Sequence, residues 1–220
     1  MSTDASSSSE LHLTQLLGGF TLSSICALLP RPILMTGLFR DWMTRHFASA
    51  DYIEDASLRR LVWQPGEQTA ILIEAIHRWR PALTELRPAV LVKRNAYSNV
   101  RLGIGDRRQG PPADKYGDPH YTTFWVGSHT LFCLGGTGAE AELLSTEVQR
   151  ELTEFGPVVS RSINLMRYQV MEIGQVQQVE EATQNYVVPV SVGYAYEQRW
   201  VIRQQAPRLK RVSLSMLLEC

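Results

Sequence analysis

The chain has 220 residues, of which 44% are apolar and 20% are charged, and its 22 acidic residues balance its 22 basic ones. This length and composition are typical of one globular domain with a sizeable hydrophobic core. Because the net charge is zero, a protein-wide attraction to nucleic acid or to an anionic membrane surface is excluded. Most of the basic residues are arginines, the cation favoured at protein–protein contacts because its planar guanidinium pairs carboxylates bidentately.

Residues 1–30 are predicted to be an N-terminal arm that is flexible or becomes ordered against a partner. The Ser-rich start lacks the basic and apolar regions of a secretory signal peptide. His12, Gln15, Pro30 and Pro32 interrupt the following apolar stretch, so no unbroken apolar run reaches the roughly 18–20 residues of a membrane span. The chain has 3 cysteines, too few and too widely spaced for a disulfide framework. We therefore expect assembly in a reducing cytoplasm and no membrane partner.

Residues 31–202 are assigned to a single core domain, followed by a C-terminal extension over 203–220. The apolar spacing of residues 33–47 predicts a helix, with Leu34, Leu38 and Trp42 near one face. β-Branched residues favour a strand over 69–80, where Ala70, Glu74 and Ala75 also permit a helix, and a strand over 89–101. Residues 121–134 are predicted to form a strand covered on both sides, since apolar residues occupy both of its faces.

The clearest element is a helix over about 137–155. Thr137 and Glu140 have the spacing of a capping box, in which two side chains satisfy free amides at the helix start. An apolar stripe at helical spacing follows, and it consists of Ala141, Leu144, Val148, Leu152 and Phe155. Gly156 and Pro157 predict the end of this helix.

Two further strands are predicted after the main helix, over 165–176 and 186–202. The second alternates cleanly, with Val188, Val190, Val192, Tyr194 and Tyr196 on one face. It would span about 55 Å at roughly 3.3 Å per residue, so it is predicted to bend or to project beyond its sheet. The predicted fold class is α+β: a mostly antiparallel sheet with one main helix packed on it, an N-terminal helix and extended arms.

A glycine-rich turn over 134–139 is the first candidate for chemistry. A strand-to-helix turn of this kind can cradle a phosphate, but it lacks the Lys and Ser/Thr of a P-loop. Glu140 and Glu142 in the first helical turn would repel a phosphate, so a structural turn is the favoured interpretation.

Metal binding and nucleophilic catalysis have weak candidates. His129 and Cys133 would share a strand face about 13 Å apart at roughly 3.3 Å per residue, which is too far for one zinc ion. Ser128 and His129 are adjacent strand residues that point to opposite faces, so they cannot form a catalytic pair. The sequence predicts no catalytic residue, no metal ligand and no cofactor, and therefore no enzyme.

A long loop over 103–120 is the strongest candidate for an interaction surface, since structureless loops of this length usually have a function. Its mixed charges suit docking on protein better than tracking of phosphates. Together with the end of the overlong strand, it supplies the candidate interface residues, which are Asp106, Arg107, Arg108, Asp114, Lys115, Tyr116, Asp118, Arg199 and Trp200.

Several phrases of the sequence resemble the tail terminator, or tail-completion, proteins found at the neck of long-tailed bacteriophages. They are Arg-Pro-Ala-Val-Leu-Val-Lys-Arg-Asn over 87–95, Leu-Gly-Ile-Gly-Asp over 102–106, and Gly-Ser-His-Thr-Leu-Phe-Cys over 127–133. Gly-Ala-Glu-Ala-Glu over 138–142, leading into Glu-Phe-Gly-Pro over 154–157, and Tyr-Val-Val-Pro-Val over 186–190, leading to Tyr-Ala-Tyr over 194–196, extend the likeness. The resemblance covers roughly residues 60–202.

This resemblance implies an α+β virion subunit that forms a homohexameric ring, caps the tail tube protein and joins it to the head-side connector. DNA would pass through the lumen with passive contacts only, and a tail sheath is a further possible partner. There would be no active site and no cofactor. Two alternatives stay open: a phosphate- or small-ligand-binding domain or enzyme that uses the glycine-rich turn, and a tail assembly factor absent from the virion.

Overall fold

The structure is a computed structural model that describes residues 32–66, 69–78, 88–100, 120–179 and 185–201. The predicted arms and the loop residues 103–119 lie outside these ranges. The helices are α1 (Pro32–His46) and α2 (Gly138–Ser162), with short 3-10 turns at Ala50–Tyr52 and Ile76–Arg78. The strands are β1 (Leu72–Ala75), β2 (Ala89–Arg94), β3 (Ser98–Val100), β4 (His120–Gly135), β5 (Arg167–Ile173), β6 (Gln177–Gln178) and β7 (Tyr186–Val201). The predicted α+β class is confirmed.

The strands form one sheet in the order β1-β2-β4-β7-β5, with β3 beside β4 and β6 beside β7. Only the β1–β2 pair is parallel among these pairings. The expectation that the last strand outruns its sheet is corrected, because β4 matches β7 from His120 opposite Val201 to Gly135 opposite Tyr186. Among the described strands, however, residues 120–123 and 198–201 pair only with each other. The far end of the sheet is therefore a two-stranded ribbon.

Both helices pack on one face of the sheet and enclose the main core. The five predicted inward residues of β7 are all buried, which confirms their alternation. Opposite them, α1 contributes Phe39, Trp42 and Met43, and α2 contributes its apolar stripe. A second small cluster of Ala89, Leu91 and Leu134 lies on the other face, so β4 does carry apolar residues on both of its faces, as predicted.

The main helix does not end at Gly156 and Pro157, so that prediction was wrong. Pro157 lies inside α2, which continues to Ser162. A proline removes one backbone donor, but the residues beyond it are anchored, since Val159 and Ser162 are buried. Gly156 serves packing instead of termination, because a Cβ there would overlap the ring of Tyr168 on β5.

Two smaller predictions also change. The inward face of α1 carries Met35, Phe39 and Trp42, whereas Leu34 is exposed. The predicted strand over 89–101 divides into β2 and β3, because Asn95 turns back onto β4. Its backbone amide donates to the Ser128 carbonyl at 3.0 Å, and its Nδ2 donates to the hydroxyls of Ser128 and Thr130.

Candidate functional site

The predicted interface residues are only partly within the described part of the chain. Asp106, Arg107, Arg108, Asp114, Lys115, Tyr116 and Asp118 lie outside it. Arg199 is exposed on the β4–β7 ribbon, and its Nη2 donates to Glu197 Oε2 at 2.5 Å, which lowers the pKa of Glu197. The backbone of Trp200 pairs with that of Tyr121. Arg199 and Trp200 thus lie together near the ribbon end, and their juxtaposition with the loop stays a prediction.

The glycine-rich turn is held by its own helix. The amide of Gly136 donates to Glu140 Oε2 at 2.9 Å, and the amide of Glu140 donates to Thr137 Oγ1 at 3.2 Å. These bonds form a variant of the predicted capping box. The Glu140 carboxylate accepts a hydrogen bond from the amide of Gly136 instead of the amide of Thr137. Arg60 Nη2 adds a donor to Glu140 Oε1 at 2.7 Å. A carboxylate already occupies the position at the helix N-terminus where an anion would bind.

An ionic cluster lies between α1 and α2, centred on His46. Its Nε2 is 2.9 Å from Glu147 Oε1 and its Nδ1 is 3.0 Å from Glu151 Oε2. Ionised carboxylates only accept hydrogen bonds, so both ring nitrogens donate and His46 is an imidazolium. Trp42 Nε1 donates to Glu151 Oε1 at 2.8 Å, and Arg150 Nη2 donates to Glu147 Oε1 at 2.6 Å.

The electrostatics of this cluster are mutually supporting. Burial lowers the pKa of His46, but the hydrogen bonds and charges of Glu147 and Glu151 outweigh burial and raise it overall. Burial likewise raises the pKa of Glu147, yet hydrogen bonds from His46, Arg150 and the amide of Glu54 hold it at about 2. The ionic cluster is therefore a closed set of charges that ties α1 to α2.

A hydroxyl cluster lies between α1 and the sheet, centred on the fully buried His129. Its Nε2 is 2.9 Å from Thr36 Oγ1, and its Nδ1 is 2.9 Å from the hydroxyl of Tyr194, which in turn meets the hydroxyl of Tyr97. Thr36 Oγ1 donates to the Pro32 carbonyl at 3.1 Å. One proton order satisfies every group: Tyr97 donates to Tyr194, Tyr194 to Nδ1, and Nε2 to Thr36.

This order requires a neutral imidazole at His129. Burial, together with the smaller effect of the positive charge of Arg94, lowers its pKa to about 4. Burial also raises the pKa of the Cys133 thiol on the same face of β4. Within the described ranges, no group of three or more His, Cys, Asp or Glu side chains is placed to hold a metal ion. Both histidines thus act on the protein's own groups.

An open groove of about 880 Å³ lies between α2 and β5. The helix side is formed by Thr153, Pro157, Ser160 and Arg161, and the other side by residues 168–173 of β5. Three large apolar side chains are strongly exposed here: Met171 by 50% and Ile173 by 43% on β5, and Met166 by 60% just before the strand. The groove and this edge are the described surface best suited to a partner.

Neither of the two described helices combines the length and apolar character required to cross a bilayer.

Neither the two histidine clusters nor the groove was predicted from the sequence. The burial of Glu147 and Glu151 could have been predicted from their spacing. With Leu144, Val148 and Leu152 they complete the i, i+3, i+4, i+7, i+8 pattern of a buried helix face. No protein-family model matches the chain, and a search of curated proteins gives no significant match.

Proposed function

We propose that this chain is a structural subunit of a long-tailed phage virion, made in the host cytoplasm, that forms a ring at the neck. The ring would cap the tail tube, join it to the head-side connector and let DNA pass through its lumen. The observation that carries the proposal is the exposed edge of β5, where Met166, Met171 and Ile173 face outward beside the groove.

Such an edge is characteristic of a protein that works in an assembly. A strand at the margin of a sheet offers unpaired backbone groups, and monomeric proteins commonly protect it with charges, prolines or a covering segment. β5 carries charges at Arg167 and Glu172, but it also exposes Met171 and Ile173 next to the groove. Tyr168 and Val170 are partly buried against the main core. Contact with a neighbouring subunit would remove this apolar surface from water.

The β4–β7 ribbon offers a second assembly surface. It carries Arg199 at one end of a sheet whose opposite end is fixed by α2 and the glycine-rich turn. The phrases that resemble tail terminators over 127–133, 138–142 and 186–190 lie in β4, at the start of α2 and in β7, which form this framework. The loop 103–120 would meet the tube, the connector or a sheath, with passive contacts to DNA in the lumen.

Purified full-length protein, alone and mixed with tail tubes of the phage that encodes it, tests the proposal. Native mass spectrometry should give a closed ring, and negative-stain images should show the ring on one end of each tube. A variant lacking residues 106–118 should keep the wild-type circular dichroism spectrum and unfolding midpoint but fail to cap tubes. A chain that remains monomeric in the presence of tubes, or a deletion variant that caps normally, would contradict the proposal.

A further inference from the structure

We propose that the groove between α2 and β5 receives residues 211–219 of a second copy of this chain as an added antiparallel strand. This deepens the proposed function and rests on it in one respect, namely that copies of the chain assemble with one another. It names the occupant of the exposed edge and the polarity in which that occupant lies.

The geometry of the groove fits an extended segment. β5 pairs with β7 along one edge, and no other described strand pairs with its outer edge. α2 runs beside that edge and forms the second side of the groove. An extended segment that adds to such an edge gains backbone hydrogen bonds, and its alternate side chains enter the adjoining groove.

Opposite charges mark the two ends of the groove. Arg161 in the last turn of α2 and Arg167 at the start of β5 lie at one end, and Glu172 lies at the other. All three are exposed, and Arg161 and Glu172 form no ion pair with another described residue. A matching segment therefore needs a basic residue at one end and an acidic residue at the other.

Residues 211–219 have this pattern, Arg-Val-Ser-Leu-Ser-Met-Leu-Leu-Glu. Apolar residues stand at 212, 214, 216, 217 and 218, and all of them except Leu217 follow the period of a strand with one buried face. Placed antiparallel to β5 with Arg211 beside Glu172, the segment carries Glu219 to the level of Asn164, in the turn between Arg161 and Arg167. The parallel placement would instead set Arg211 beside these two arginines, so the charges select the antiparallel polarity.

The length of the connection indicates that the donor is another copy. β7 ends at Val201, whereas Glu172 lies level with Ser191, ten residues back along the same strand. That separation is about 33 Å at roughly 3.3 Å per residue. The ten residues from 201 to 211 span at most about 33–36 Å when fully extended, which leaves nothing for the required reversal of direction. A neighbouring copy can supply the segment without a reversal.

Charge reversal in the full-length protein tests the pairing. Glu172→Arg and Arg211→Glu should each weaken self-association at least about fivefold by sedimentation velocity, since like charges would then meet across the strands. The double variant should return to within about twofold of wild type. Glu142→Arg, the same charge change at an exposed position outside the groove, is the matched control and should leave association unchanged.

Each outcome decides the inference. Single reversals that behave like Glu142→Arg, or a double variant whose losses simply add, would overturn it. If Glu172→Arg weakens association but Arg211→Glu does not, another segment occupies the groove and the inference also fails. A wild-type chain without self-association would overturn it unless a synthetic peptide of residues 208–220 binds the wild type and not Glu172→Arg. Normal association without tube capping would count against the proposed function alone.

Discussion

His46 at the end of α1 and His129 beneath α1 are both buried, but His46 faces two carboxylates whereas His129 faces two hydroxyl groups. The first is therefore charged and the second neutral, although burial acts on both in the same direction. The ionic cluster joins helix to helix, and the hydroxyl cluster joins helix to sheet. The same side chain thus serves two contacts of α1 through opposite protonation states.

The comparison shows that the neighbours of a buried imidazole decide its charge. Desolvation opposes the charged form at both sites. At His46, two buried carboxylates at hydrogen-bond distance compensate for it, and each is itself held by a further donor, Arg150 or Trp42. At His129 no carboxylate compensates for burial and the positive charge of Arg94 adds to its effect, so the neutral form prevails.

Removing one carboxylate from the ionic cluster should have the largest effect. Glu151→Leu leaves a buried imidazolium with one acceptor and leaves Trp42 Nε1 without its partner. Breaking a buried ion pair in this way costs about 3–5 kcal/mol of unfolding free energy. Urea denaturation followed by tryptophan fluorescence measures the loss.

The matched change in the hydroxyl cluster is His129→Phe. It removes the acceptor of Tyr194 but strands no charge, so we expect a loss of about 1–3 kcal/mol. The comparison between the clusters breaks down if His129→Phe costs as much as Glu151→Leu.

The pH dependence of stability should separate the two histidines. The pKa of His46 is raised, so its contribution is complete below about pH 6.5 and is lost as pH rises through its folded-state value. The pKa of His129 falls from 6.5 to about 4, so stability decreases as pH falls from about 6.5 to 4, by up to about 3 kcal/mol. The wild type should therefore be most stable near pH 6.5.

Thermal unfolding from pH 4 to 9 checks this pH dependence with one variant for each histidine. His46→Gln should remove the loss of stability above pH 6.5 and keep the loss between pH 6.5 and 4. His129→Gln should flatten the stretch between pH 6.5 and 4.5 and keep the alkaline loss. Identical profiles in the two variants would show that the histidines do not differ in charge.

Most of the framework could be predicted from the sequence because it depends on local periodicity. The alternation of Val188, Val190 and Val192 identified β7 and its buried face, and Thr137 identified the start of α2. The end of α2 was missed because Pro157 is tolerated only through tertiary contacts, including the packing of Tyr168 on Gly156. No local pattern contains that information.

The clusters could not be predicted because their members are far apart in the chain. His46 meets Glu147 across 101 residues, and Thr36 meets His129 across 93. Glu147 and Glu151 could be recognised as buried from their helical spacing, but their partner depends on how α1 docks. The groove likewise depends on the placement of β5 beside α2, which the order of elements does not specify.

The outermost member of each cluster should give the smallest and most specific effects. Arg150→Gln removes the contact at 2.6 Å between Nη2 and Glu147 Oε1, and Tyr97→Phe removes the hydroxyl that meets Tyr194. Each should lower the free energy of unfolding at pH 7 by about 1 kcal/mol, since both side chains are only partly buried.

The two variants should lose stability differently as pH falls, and this difference tests whether the ionic cluster is charged and the hydroxyl cluster neutral. The depressed pKa of Glu147 contributes stability that is present above about pH 4.5 and is lost as pH falls through about 2. Without Arg150 that pKa rises, so unfolding on acidification should begin at a higher pH in Arg150→Gln. Tyr97→Phe removes a neutral donor and should lower stability by the same amount at every pH. Its acid-unfolding midpoint should therefore shift only as far as that lower stability requires. Carbon-13 titration of the Glu147 carboxyl by NMR should show the upward pKa shift in the first variant alone, and an equal shift in both would mean that the clusters are electrostatically coupled through α1.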